Sequence, residues 1–438
     1  MHRFFARLRA PILTVLLAPV AGCDNADVAS KSTSHPPTAS IGERIQIDTP
    51  GDRIAPIQKH DDQPDVTAAI TILPMERNQP VVIVPVTIDA TQYWFLLDTG
   101  ATAHVFDASL RDKLGPLQQR VTVESPAGSV AAEVFAAPLV SLGDVELDRR
   151  NAIACLDLTS MRKAIRCDLR GVIGMPFFDR FIVQLDWDNH TVAILPSTTP
   201  PSIKWGQRID APQVAGDGMA VKCILGDHQS RSHQEPLSAT FLIDTGYYGG
   251  PTIRERYSRL LKNRRSTFYT HEIGSIVFGG HVIRKSGRLR HFSLGPFHHS
   301  DLEIRSDSIC KLGVKYLSRY RVTIDRPNNR VFLRPSKKYG HRYVYEHAGL
   351  FVQWIDGHFT VIHEEPKAVA FLAGIRTGDT IEKVSGRPAS DFTLATLYDW
   401  FQTRQGGPIT ISCRRNGELH QFSFQLKEQQ FDYDVLKE

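Results

Sequence analysis

Two short segments of this chain carry residues that could do chemistry as a pair. Phe95-Leu96-Leu97-Asp98-Thr99-Gly100 recurs as Phe241-Leu242-Ile243-Asp244-Thr245-Gly246. Two carboxylates held about 3 Å apart cannot both ionise, so they share a proton. The ionised partner can take a proton from a water between them, while the protonated partner polarises a carbonyl. The water then attacks, and the proton inventory reverses for the leaving group. This chemistry needs no metal, no cofactor and no covalent intermediate. Asp98 and Asp244 are therefore the candidate catalytic pair. Gly100 and Gly246 allow a tight turn that brings an N–H to each carboxylate. Thr99 and Thr245 can exchange hydrogen bonds across the pair and lock the loops together.

Such a pair needs two elements that carry both loops to one point. A second repeat supplies the frame. Gly174-Met175-Pro176-Phe177-Phe178-Asp179-Arg180-Phe181 aligns without a gap on Gly313-Val314-Lys315-Tyr316-Leu317-Ser318-Arg319-Tyr320. The register continues, with Val183, Asp186, Asn189 and Val192 matching Val322, Asp325, Asn328 and Val331. Both copies end in a strand, an Asn-containing turn and another strand. The chain thus holds two similar units, 65–200 and 201–337, each with an early Asp-Thr-Gly and a late glycine block. Both read as strand-rich. Val81–Ile88 is β-branched and leads through a turn to Tyr93–Leu97. Val121–Val123 and Val130–Phe135 flank Pro126-Ala127-Gly128, which reads as a hairpin tip. Thr267 to Ile283 offers similar material in the second unit.

On these residues the two units resemble the retropepsin-like and pepsin-like aspartic peptidases. Asp98-Thr99-Gly100-Ala101-Thr102 is similar to the retroviral form, and Val172-Ile173-Gly174 to that family's second element, two apolar residues and a glycine. The resemblance covers about 65–335. It implies a mainly β fold, with two pseudo-symmetric acid-protease lobes around a central cleft, and hydrolysis of peptide or protein substrates. It also implies a β-hairpin flap, for which Ser125–Gly128 is the candidate tip. The second unit departs from the pattern. Tyr247-Tyr248 replaces a small residue and Ser, Thr or Ala, and Lys311-Leu312-Gly313 puts a lysine in an apolar slot. Tyr247 could crowd the loop, offer its hydroxyl to the site, or point away. The alternatives to an enzyme complete in one chain are a non-catalytic binding scaffold and an obligate dimer that pairs lobes between chains.

Residues 338–430 resemble a PDZ domain, β with two helices. The resemblance rests on Ala370-Phe371-Leu372-Ala373-Gly374-Ile375-Arg376-Thr377-Gly378-Asp379-Thr380-Ile381. Thr393–Gln405 has Leu394, Leu397, Trp400 and Phe401 on one helical face. Asn416-Gly417 marks a hairpin between Ile409–Cys413 and His420–Leu426. By resemblance, Gly349, Leu350 and Phe351 belong to the loop that receives the C-terminal carboxylate of a bound peptide.

The N-terminus reads as an export signal over 1–22, with Arg3, Arg7 and Arg9 before an apolar run from Ala10 to Val20. Val20-Ala21-Gly22-Cys23 resembles the bacterial lipobox, which implies lipid on Cys23 and a membrane anchor. The implied location is the bacterial cell envelope, facing the periplasm. Asp24 points to the inner membrane by the rule of enteric bacteria. Residues 23–64 are rich in Ser, Thr, Pro, Asp and Gln and read as a flexible tether.

A chain of 438 residues exceeds one ordinary core. Its net charge of +5 is small for that length and gives no argument for nucleic acid. Phosphate-loop and nucleophilic Ser or Cys motifs are missing. His298-His299 with Asp301 and Glu303 lies beside a Gly-Pro turn and lacks a second ligand set, so no metal is expected. Arg254, Arg256, Arg259, Lys262, Arg264 and Arg265 read as a solvated helix face. Cys155 with Cys167, and Cys223 with Cys310, are candidate bridges or pairs of buried thiols.

Overall fold

The computed structural model describes residues 68–426, apart from 78, 126–127, 212–217, 227–236, 264–266, 278–279, 342–347, 365, 367 and 404–406. The signal and tether expected over 1–64, with Cys23, lie outside the described residues, as does the Pro126-Ala127 tip. The described chain is mainly β, in keeping with an acid-protease β fold. No described helix is long and apolar enough to cross a membrane.

The expected strand pairs form where the apolar runs are. Ile83–Ile88 and Thr91–Leu97 pair antiparallel across Asp89 and Ala90, both at positive φ (49° and 61°). That turn carries neither Gly nor Asn, so its tightness was not legible locally. Ile83, Val84, Phe95, Leu96 and Leu97 are all buried, as continuous apolar strands covered on both faces should be. Leu117–Ser125 pairs with Gly128–Ala136, which makes the expected hairpin. Thr267–Val277 pairs with Gly280–Leu294 in the second unit.

Among the described residues, each unit builds its own sheet, of nine strands in the first and seven in the second. The same three-strand arrangement sits at both centres. In the first, Thr91–Leu97 runs parallel to Leu169–Ile173, which is antiparallel to His104–Asp107. In the second, Leu237–Ile243 runs parallel to Lys311–Leu312, which is antiparallel to Pro251–Arg254.

A third sheet, of six strands, joins the units. Strands Phe181–Asp186 and Tyr320–Asp325 lie at its middle and pair antiparallel through Val183↔Ile324, Gln184↔Thr323 and Leu185↔Val322. The sequence repeat maps Val183 onto Val322 and Leu185 onto Ile324. The first pair therefore maps onto the third, which is the signature of a self-complementary two-fold contact. Gln184 Nε2 donates to Thr323 Oγ1 (3.0 Å) at its centre. Flanking hairpin strands Thr191–Pro196 and Arg330–Pro335, then Thr71–Pro74 and Gln207–Asp210, extend the symmetry outwards. This pairing unites both repeats within one chain. One apolar core runs through both, with Phe95, Phe106 and Phe178 on one side and Phe241, Phe292 and Tyr316 on the other.

Residues 350–425 form a separate sheet with its own core of Phe359, Leu397, Phe401, Ile409 and Ile411. The amphipathic stretch folds as helix Leu394–Thr403. Asn416 and Gly417 take positive φ (51° and 88°) in the expected hairpin turn.

Candidate active site

Asp98 and Asp244 each follow the last residue of a buried central strand, so the strands fix where the carboxylates emerge. Asp98 N donates to Ile173 O (2.9 Å), and Asp244 N donates to Leu312 O (3.0 Å). Gly100 N donates to Asp98 Oδ1 (2.7 Å), and Gly246 N donates to Asp244 Oδ1 (3.1 Å). Both carboxyls are buried, and Asp98 Oδ2 has no hydrogen-bond partner among the described residues.

Sequence reasoning assigned Gly100 and Gly246 to tight turns. The tertiary structure adds a stronger requirement. A Cβ on Gly100 would lie 2.9 Å from Asp244 Oδ1, and one on Gly246 would lie 2.3 Å from Asp98 Oδ2. Each glycine therefore makes room for the carboxylate of the other repeat, and the two carboxyls are brought together at the junction.

The threonines cross-brace the loops. Thr99 Oγ1 donates to Ile243 O (2.6 Å) and accepts from Thr245 N (3.1 Å). Thr245 Oγ1 donates to Leu97 O (2.7 Å) and accepts from Thr99 N (3.0 Å). All four bonds are buried, and every one crosses from one repeat to the other.

The late glycines lie against the loops. Met175 N donates to Ala101 O (2.8 Å), and Val314 N donates to Tyr247 O (2.7 Å). A Cβ on Gly174 would lie 2.3 Å from Ala103 O, and one on Gly313 would lie 2.3 Å from Gly249 O. Only glycine permits that approach on either side.

Burial and then the charge of Asp244 push the Asp98 carboxyl up to about 7, against the opposing pull of the Gly100 N–H and Lys311. Burial also raises Asp244, and the Lys311 charge 3.4 Å away opposes that rise. Both carboxyls are raised by burial, and the Lys311 ammonium lies against Asp244, which makes the two inequivalent.

The family model described as aspartyl protease matches residues 84–177. The match spans Asp98-Thr99-Gly100 and Val172-Ile173-Gly174 and supports a protease-like function. No curated protein matches the chain.

The departures in the second unit fit together. Lys311, aligned with Val172 of the first unit, is only 2% exposed, and its Nζ lies 3.4 Å from Asp244 Oδ2. It also lies 3.5 Å from Asp307 Oδ2 and 4.1 Å from the centre of the Tyr247 ring. Tyr247 aligns with Ala101, and its ring folds over Gly249 and Gly313, where added Cβ atoms would meet it at 2.1 and 2.5 Å. The bulky side chain is accommodated because those neighbours are glycines. It forms one face of the lysine's pocket.

His104 was not singled out from sequence. It is buried, and its Nδ1 accepts from Gly174 N (3.1 Å), tying the late glycine to the strand after the loop. Burial lowers its imidazole to about 4, so it is neutral near pH 7. A lone histidine in a strand gives no local signal of that task.

Other motifs find structural partners. His298 Nδ1 pairs with Ser293 Oγ (2.8 Å) and His299 Nε2 with Tyr320 Oη (2.5 Å), while Glu303 binds Lys315 (2.8 Å) and Arg305 (3.0 Å). Arg254 ends a strand, and Arg256, Arg259 and Lys262 fall within helix Glu255–Asn263. Cys155, Cys167, Cys223 and Cys310 are free thiols.

Gly349 takes a positive φ of 72° and leads into Leu350–Ile355, the edge strand of its sheet, with Leu350 and Phe351 buried. Val352 N donates to Tyr398 Oη (3.2 Å) on helix Leu394–Thr403. Arg166, which ends helix Thr159–Ile165 of the first unit, stacks 4.1 Å from the Trp354 ring centre. It also donates to Ser390 O (3.0 Å) and to Phe392 O, joining the two parts of the chain.

Proposed function

We propose that this protein is an aspartic endopeptidase in which Asp98 and Asp244 activate water between two lobes, 65–200 and 201–337. The observation that carries the reading is the cross-braced pair of Asp-Thr-Gly loops, each glycine seated against the other loop's carboxylate. In the reaction, Asp244 takes a proton from water as the water oxygen bonds to the peptide carbonyl carbon. Asp98 gives its proton to the carbonyl oxygen. The tetrahedral diol then breaks its C–N bond; Asp244 returns a proton to the leaving nitrogen, and Asp98 recovers one from the diol. Buried loops with little room to relax keep the two carboxyls oriented for both steps.

Residues 338–430 form a PDZ domain in this reading, recruiting or gating peptide substrates. Leu350–Ile355, which follows Gly349 at one end of the described sheet and lies beside helix Leu394–Thr403, supports it as the strand along which a peptide would add. The protein is further proposed to be lipid-anchored through Cys23 in the bacterial envelope, facing the periplasm from the inner membrane. The envelope proposal is tested by labelling with a radioactive fatty acid, which should be lost in Cys23→Ser.

The second reading is a non-catalytic peptide-binding scaffold. The ion pair of Lys311 with Asp244 favours it, because such a pair can hold a carboxylate out of chemistry. Cleavage of a diverse peptide library by the full-length protein from pH 4 to 8 separates the two. Cutting by the wild type, abolished in folded Asp98→Asn and Asp244→Asn, establishes the enzyme. An inert wild type that binds C-terminal peptides establishes the scaffold.

A further inference from the structure

Within the reading of Asp98 and Asp244 as a catalytic pair, we propose that Lys311 is a positioning residue that holds Asp244 ionised as the base and leaves the proton on Asp98.

The placement comes from the fold. Lys311 belongs to the short strand Lys311–Leu312, which lies parallel to the strand leading into Asp244, through Leu242↔Lys311 and Ile243↔Leu312. The aligned residue in the first repeat is Val172, paired with Leu96 in the same way. A charge has therefore been placed on one side of a pseudo-symmetric site and not the other. The two carboxylates, equivalent by repeat, are made inequivalent by Lys311 and the Asp307 it pairs with.

A buried lysine needs compensation, and the structure supplies it. Asp244 Oδ2 and Asp307 Oδ2 lie at 3.4 and 3.5 Å from its Nζ, and the Tyr247 ring covers it at 4.1 Å. Arg284, from strand Gly280–Leu294, which pairs with the Phe297–Asp307 strand, lies 3.2 Å from Asp307 and is itself buried. The other strand against Lys311, Pro251–Arg254, presents Thr252 opposite it, with Arg254 at its far end beside Cys310. The strand into Asp244, Leu237–Ile243, carries no ionisable residue. Arg305, in register with Thr252 on its far side, forms with Glu303 and Lys315 a separate set of ion pairs of net charge +1.

The charges linked to Lys311 by direct ion pairs are one further cation, Arg284, and two anions, Asp244 and Asp307. With a neutral Asp98, this linked set balances only when the dyad carries one negative charge. Adding a second proton would leave a buried excess of positive charge, and removing the last one an excess of negative charge. Both changes are disfavoured in a low-dielectric interior. Lys311 therefore widens the pH range over which the dyad is singly protonated, extending it on the acid side. Its stabilisation falls on Asp244, which it touches. Asp307 acts in the opposite sense on Asp244, as a second anion drawing on the same ammonium.

Two variants give opposite signs. Lys311→Met keeps length and removes the charge. The acid limb of the kcat/KM profile for peptide cleavage should move to higher pH by about 1–3 units. Asp307→Asn removes the competing anion, so the acid limb should move to lower pH. A merely structural role would lower activity in both variants without moving the limbs in opposite directions. Lys311→Arg, which keeps the charge, should hold the acid limb on the low side of Lys311→Met. Carboxyl 13C titration of the full-length protein reads the same quantity without any turnover. The Asp244 signal should titrate at higher pH in Lys311→Met and at lower pH in Asp307→Asn.

If the wild type cleaves nothing, the endopeptidase reading fails, and the carboxyl titration alone decides the role of Lys311. An acid limb and an Asp244 titration unmoved by Lys311→Met, or moved alike by both variants, overturn the proposal. Should Lys311→Met not fold, the sign of the Asp307→Asn shift decides, and a move to higher pH or none overturns it.

Discussion

The threonine brace gives the sharpest test of how the site is held. In Thr99→Val the side chain keeps its volume and loses its hydroxyl. Ile243 O then loses the donor at 2.6 Å, and Thr245 N loses its acceptor at 3.1 Å, both in a buried setting. Each buried group left unpaired costs about 1–3 kcal/mol. The expected loss is therefore about 2–6 kcal/mol, a large part of the stability of an ordinary domain. Thr245→Val orphans Leu97 O and Thr99 N in the same way and should cost a similar amount. Thr99→Ser keeps the hydroxyl and gives up one methyl, so it should lose about 1 kcal/mol. The assay is urea unfolding of the full-length protein followed by fluorescence of the five tryptophans. With a slope of about 1–3 kcal/mol per molar, the midpoint should fall by about 1 M or more in each valine variant. The valine variants should also lose peptide cleavage, and the serine variant should retain it. A midpoint unchanged in Thr99→Val, or equal losses for Val and Ser, would refute the claim that these hydroxyls hold the repeats together.

Asp98 and His104 give opposite pH signatures. The Asp98 carboxyl, raised by burial and by Asp244 from 3.8 to about 7, contributes stability that is full below about pH 4 and lost as pH rises through 7. Asp98→Asn should therefore be more stable than wild type at pH 8, by up to about 4 kcal/mol, and lose that advantage at pH 4, as thermal melts at the two pH values would show. His104, lowered by burial from 6.5 to about 4, contributes stability present above 6.5 and lost as pH falls through 4. His104→Phe removes that dependence and leaves Gly174 N unpaired; a loss of about 1–3 kcal/mol is expected at pH 7 by urea unfolding, with a flatter acid side. Gly246→Ala places a methyl against the Asp98 carboxyl and should cut peptide cleavage by about 100-fold or more while circular dichroism still reports a folded β protein. Tyr398→Phe frees Val352 N, so binding of a C-terminal peptide measured by calorimetry should strengthen by roughly threefold to tenfold if the edge strand is the peptide site.

Some of this molecule is written locally. Apolar β-branched runs before Asp98 and Asp244, an internal repeat, and a glycine block late in each copy specify strands and loops through interactions a few residues long. Asn416-Gly417 specifies its turn because a two-residue hairpin loop requires positive φ at both positions. The repeat even contains the pseudo-two-fold, since residues that align in sequence are those that exchange partners between Val183–Leu185 and Val322–Ile324.

Other features depend on residues more than a hundred positions apart, and local pattern is blind to them. The sequence marks Gly100 and Gly246 as turn glycines; only the approach of the opposite carboxylate makes them indispensable. Lys311 and Tyr247 look like defects in a motif when read along the chain. In three dimensions, Asp244, Asp307, Arg284 and two glycines make room for them and balance the charge. The Asp89-Ala90 turn takes its left-handed backbone with no glycine or asparagine to announce it, because pairing of the flanking strands imposes it. Residue type and spacing determined which groups could do chemistry. Tertiary structure decided which of two repeat-equivalent carboxylates lies beside the buried Lys311 ammonium, and such a charge acts through space and dielectric, without regard to its place in the sequence.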